Sequence, residues 1–126
     1  LLERIDLHVD VPAQAGRELE GPSSGPTSAV LRERVIRARE LQHRRGVRSN
    51  AEIPDAQLDQ LVNPTPEANT LLGRAVDGFR LSARAARRVL RTARTIADLA
   101  EATQVEASAI AEALATRTEA RNPPIL

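Results

Sequence analysis

The sequence predicts an all-α chain, a small bundle of four to five helices behind an extended N-terminal strand or tail. Three observations carry that expectation. Of the 126 residues 21 are Ala and Phe79 is the only aromatic one, which suits close helix packing better than a β-sandwich. Residues 81–99 repeat with the helical period of about 3.6 residues. Only residues 4–11 alternate convincingly like a strand, and a lone strand cannot satisfy its own backbone.

The elements follow in order. In residues 4–11, Ile5, Leu7, Val9 and Val11 fall on one side, and Arg4, Asp6, His8 and Asp10 on the other, until Pro12 removes a donor and ends the run. Residues 1–11 are therefore expected to be the last strand of a sheet lying upstream, poorly ordered without it. Residues 12–27, centred on Gly21-Pro22-Ser23-Ser24-Gly25-Pro26, are expected to be a flexible linker. Residues 28–121 are the predicted helical domain and 122–126 a C-terminal tail.

The first helix is expected from Ser28, as N-cap, to about Arg45, with a stripe of Leu31, Val35, Ala38 and Gln42. Glu33–Arg37 and Glu40–Arg44 have the spacing of helical ion pairs, each worth about 0.3 kcal/mol, and Gly46 is the expected stop. A short helix spans Pro54 to about Val62. Thr65-Pro66 opens the next with a cap and a first-turn proline. Its stripe is Ala68, Leu71, Leu72, Ala75, Val76 and Phe79, with Gly78 near its end. Gly73 sits inside that helix at a cost of about 1 kcal/mol, for which close helix approach is one explanation and accident another. Ser82 caps the arginine-rich helix, and a last helix at about 106–118 carries Ile110, Ala113 and Leu114.

The arginine-rich helix carries the functional signal. Ala86, Val89, Leu90, Ala93, Ile96, Ala97 and Ala100 are expected on one face, and Arg84, Arg87, Arg88, Arg91 and Arg94 on the other. Five guanidiniums within about three turns favour a nearby anion. Arg87, Arg88, Arg91 and Arg94 are candidate anion or DNA contacts, set against the plainer reading that they are solvated or paired, as Arg94 with Asp98. Composition limits the alternatives. There is no Cys, and His8 and His43 have no ligand-like spacing, so no metal site is expected. All 18 basic residues are Arg, yet the net charge is +1, so only local clustering can signal phosphate recognition. Near-neutral charge and the lack of aromatic stacking platforms weigh against an autonomous nucleic-acid-binding bundle, which stays open beside a protein-interaction module. No apolar run approaches membrane-spanning length and no signal-like stretch opens the sequence, so a cytoplasmic place away from membranes is expected.

Three motifs line up in sequence: Leu1-Leu2-Glu3-Arg4-Ile5-Asp6-Leu7-His8-Val9, Ser28 to Val35 with Ala38-Arg39-Glu40-Leu41-Gln42, and Leu81-Ser82-Ala83-Arg84 running on to Leu99. Together they resemble the C-terminal, lid-bearing part of bacterial magnesium-chelatase-related AAA+ ATPases of the competence-associated group. The third motif is the specific one. The resemblance implies that Arg4 is the arginine finger, reaching the γ-phosphate of a neighbouring subunit's ATP. It implies that Arg84 is the sensor-2 arginine of the lid, that residues 28–45 are the helical insertion preceding it, and that Asn50-Ala51 is a family turn. It further implies a parent that binds ATP and Mg²⁺, assembles as a homo-hexamer, and moves DNA branches as a helicase in natural transformation. Ala86, Arg87 and Ala109 depart from the family's usual aromatic and His residues, away from the phosphate-reading positions. The chain carries no Gly-x-x-x-x-Gly-Lys loop, having no Lys, and no acidic Mg²⁺-holding strand motif, so it is not expected to hydrolyse ATP by itself.

Overall fold

The computed structural model describes residues 4–13, 16, 21 and 25–117. Among these are five α-helices: α1 (Ser28–Arg44), α2 (Leu58–Val62), α3 (Pro66–Phe79), α4 (Ala83–Leu99) and α5 (Ala107–Ala115). Short 3₁₀ turns at Asn50–Glu52 and Asp55–Gln57 link α1 to α2. The architecture is the all-α bundle that composition and periodicity predict. Most of the 12–27 linker, and the 122–126 tail, lie outside the described residues.

Local chemistry sets the helix ends. Thr65 Oγ1 accepts from the Ala68 amide at 3.1 Å, and Ser82 Oγ from the Ala85 amide at 3.1 Å, both as the sequence predicts. At α1 the cap shifts by one residue, because Thr27 Oγ1, not Ser28, accepts from the Val30 amide at 3.2 Å. Gly46, at φ 91°, takes the chain out of α1 in a conformation that favours glycine. Asn63 and Arg80 end α2 and α3 in the same left-handed region. The α1 ion pairs expected from spacing do not close among the described residues; Arg37 instead reaches Glu101 at 3.7 Å.

α4 is the axis of the bundle. It packs on α5, α1, α2 and the Asn50–Glu52 turn, while α3 packs on α5. Seven of the sixteen residues in the core cluster are Ala, which lets helix backbones approach closely. The buried line of α4 is Ala85, Val89, Ala93 and Ala97, with Ala86, Leu90 and Ile96 half-buried at its margin and Ala100 exposed. The inward face is thus rotated from the one expected. An isolated parallel bridge joins Pro64 to Val105 and ties the α2–α3 link to the α4–α5 link. Gly73 is exposed and an added Cβ would meet nothing within 4 Å, so close helix approach does not explain it.

Residues 4–13 form no strand. A strand needs a ladder partner, and the described residues offer none. The segment instead lies beside α4 and the end of α5, where the His8 amide donates to Thr116 O at 2.7 Å. Ile5, Leu7, Val9 and Val11, the apolar side of the alternation, stay exposed.

Candidate functional site

Two arginine systems emerge from α4, one inside the fold and one on its surface. The inner system centres on Asp98, fully buried, and Arg94, 2% exposed. Arg94 Nε donates to Asp98 Oδ1 at 3.1 Å, the i,i+4 pair that the spacing suggests. The rest of the Arg94 guanidinium donates to the carbonyls of Val62 at 3.0 Å, Thr103 at 3.1 Å and Ala102 at 2.6 Å. Arg45, capping α1, grips the same carboxylate with two nitrogens at 2.6 and 3.0 Å. Asn50 Nδ2 donates to it at 2.9 Å, and the Asn50 amide donates to Gln42 Oε1 at 3.1 Å. Burial pushes the Arg94 pKa down, against the pull of Asp98, from a value high enough that the guanidinium stays charged. This is a correction to the sequence reading: Arg94 is not on the outward face with the other arginines, and its donors serve loop carbonyls rather than an external anion or DNA. A helical wheel counts its charge, not its reach to open carbonyls. Arg45 and Asn50 were not singled out as partners of Asp98; the i,i+4 acid beside Ala97 was the only available signal.

The outer system lines a cleft of about 750 Å³ between α4, α5, the 3₁₀ turns and residues 6–7. Arg84, Arg87, Arg88 and Arg91 all contribute to its wall, so four of the five predicted guanidiniums do share one site. Arg91 donates to Ile53 O at 2.8 Å and to Asp55 at 2.5 Å. Arg87 meets the other Asp55 oxygen at 3.5 Å. Arg91, and then Arg87, hold the Asp55 carboxyl below the ordinary carboxylate range. Arg88 pairs with Asp6 at 2.8 Å and donates to Arg4 O at 3.1 Å. Arg84 differs from these three. It is exposed in the first turn of α4 and has no hydrogen bond or ion pair from its side chain among the described residues. Free amides at that helix end add partial positive charge beside it. Ile96 and Leu99 supply an apolar floor. Arg4 is exposed and near the cleft through its carbonyl, while its guanidinium also has no partner among the described residues.

The arrangement can neutralise an oxyanion. Among the described residues no three His, Asp or Glu side chains gather around one point. No helix among the described residues is long and apolar enough to cross a membrane.

An all-α domain with a guanidinium-lined cleft against its central helix α4 defines the class, and comparison with known proteins specifies it. Residues 25–117 match the family described as "Magnesium chelatase, subunit ChlI C-terminal", and the chain belongs to that family. Among its relatives is "Competence protein ComM" of Haemophilus influenzae, 34% identical over 121 residues, covering 95% of this chain and 24% of that protein. YifB of Salmonella typhimurium is 32% identical over 117 residues, with 92% of this chain and 23% of the relative covered. Mb2921c of Mycobacterium bovis is 36% identical over 121 residues, covering 93% of this chain and 24% of the relative. The chain thus spans about a quarter of the length of these curated relatives.

Proposed function

We propose that this chain is the lid of a magnesium-chelatase-like AAA+ ATPase, in which Arg84 reads the phosphate tail of ATP held by an upstream core. The observation that carries this reading is Arg84 itself, the one cleft-lining arginine of α4 with no acidic partner among the described residues, exposed beside the amides of a helix N-terminus. A planar guanidinium stays charged and forks onto phosphate oxygens, so it responds to the charge of the terminal phosphate more specifically than Lys. The sequence has no Lys-bearing phosphate loop, and the described residues hold no carboxylate cluster, so the nucleotide and Mg²⁺ would be gripped by residues outside the chain. Its own contribution is positive charge and helix motion coupled to that charge.

In the longer protein, residues 4–11 would return to the sheet that their alternation encodes. Arg4 would then act as the arginine finger across a subunit interface of a homo-hexamer. Such a residue is worth about 10³ to 10⁵ in rate. The family resemblance extends the reading to a cytoplasmic DNA branch-migration helicase serving natural transformation. In the full-length protein, Arg4→Ala should abolish ATP turnover while sparing most ATP binding. Arg84→Ala should lower turnover and uncouple it from lid movement. Near-normal hydrolysis by both variants overturns the proposal.

A second reading, an arginine-rich nucleic-acid-binding module, draws on the four cleft arginines. Asp6 and Asp55 already pair with three of them, which favours the first. Titration of the chain with single- and double-stranded DNA at two salt concentrations separates the two. Micromolar, steeply salt-dependent binding would select the second.

A further inference from the structure

The arginines of the cleft are not equally committed. Arg91 donates through two nitrogens to Ile53 O and pairs with Asp55, and its side chain is 18% exposed. Arg88 is 21% exposed and pairs with Asp6 at 2.8 Å. Arg87 is 46% exposed, and its ion pair among the described residues is a long contact of 3.5 Å to Asp55 Oδ2. An exposed pair of that length contributes little. Asp55 has its close partner in Arg91, and its side chain is 57% exposed, so water can serve the second oxygen when Arg87 turns away. Arg84 stands three residues before Arg87 on α4 and lines the same cleft. Residues so spaced share a helix face, with Cβ atoms about 5–6 Å apart. Like charges placed there repel, and an anion between them relieves that repulsion. The carboxylates of Asp6, Asp55 and Glu112 line the cleft as well. Against them one guanidinium holds a polyanion weakly, so a second that can turn toward it decides the site.

We infer that Arg87 is a second phosphate-binding residue, and that with Arg84 it selects a polyphosphate tail over a single phosphate. Asp55 holds the Arg87 guanidinium loosely, and a phosphate oxygen replaces it at the cost of one long ion pair. Arg91 keeps both Asp55 and Ile53 O, so the 3₁₀ turns need not move. One bidentate fork satisfies a single phosphate. Two guanidiniums rooted one turn apart reach oxygens on neighbouring phosphoryl groups, so the pair favours a run of phosphates. The inference rests on the reading of Arg84 as the phosphate-sensing residue and adds a specificity determinant to it.

Inorganic tripolyphosphate and orthophosphate are the probes, titrated into the full 126-residue chain at low ionic strength and followed by the NMR signals of the arginine Nε–Hε groups. In the wild type the Arg84 and Arg87 signals should shift along one tripolyphosphate binding curve. Arg87→Gln, which loses the charge, should weaken tripolyphosphate binding by about three- to tenfold and orthophosphate binding by less than about twofold. Arg74→Gln, the same charge change on α3 away from the cleft, should alter neither by more than about twofold. Undiminished tripolyphosphate affinity in Arg87→Gln, an equal loss in Arg74→Gln, or equal losses for the two probes overturns the role of Arg87, while binding that falls with Arg84→Ala leaves the sensor reading standing. Binding indifferent to Arg84→Ala, or no binding at all, removes both.

Discussion

Asp98 accepts four hydrogen bonds from three side chains in a place no water reaches. Two guanidiniums share that one carboxylate, so its loss would leave Arg94 and Arg45 with uncompensated charge. Asp98→Ala should therefore cost about 3–5 kcal/mol of unfolding free energy, measured by urea denaturation. Arg84→Ala makes the opposite case. With no partner among the described residues, it should change stability by less than about 0.5 kcal/mol on the same measurement. The two arginines lie ten positions apart on one helix and are alike in sequence. The i,i+4 spacing marked the Arg94–Asp98 pair, but its burial was not legible, because a helical wheel gives direction but not depth. What separates them is the set of open carbonyls at Val62, Ala102 and Thr103, brought together only by the packed loops.

Helix boundaries were read more reliably, because caps are local chemistry. Thr65 and Ser82 each satisfy one first-turn amide, and Thr65→Ala or Ser82→Ala should each cost about 1 kcal/mol in chemical denaturation. Gly73 is exposed in the middle of α3 with open space where a Cβ would go. Gly73→Ala should stabilise the chain by about 0.5–1 kcal/mol, seen as a higher denaturant midpoint without a change in slope. The stripe on α1 was legible as a pattern, but its burial was not. Ala38 and Gln42 are buried, whereas Val30, Leu31, Val35 and Ile36 remain 43–50% exposed. Periodicity tells which residues share a face, not how much of that face finds a neighbour. The alternation of residues 4–11 finds no ladder among the described residues for a related reason: pairing is a property of two segments.

The all-α class followed from composition, and the bundle agrees with it because alanine-rich helices can pack closely around α4. The cleft was half legible. Its arginines were foreseen, but Asp6 and Asp55, which pair with three of them, come from segments whose placement only the tertiary structure supplies. This balance carries a pH signature. Asp55 titrates lower when folded than when unfolded, chiefly through its hydrogen bond from Arg91. Its contribution is present above the unfolded carboxylate value near pH 4 and disappears as pH falls through the folded value below it. Thermal unfolding followed between about pH 5 and about pH 3 should show a smaller acid loss for Asp55→Asn than for the wild type.

α1 is held to the rest of the molecule at one end. Its buried residues are Ala38 and Gln42, and Arg45 then anchors it to Asp98, the same carboxylate that fixes Arg94. Leu31 lies roughly 20 Å along the helix from that anchor. α1 therefore meets the bundle chiefly through its C-terminal half, and its tightest link there is the carboxylate on the helix that bears Arg84.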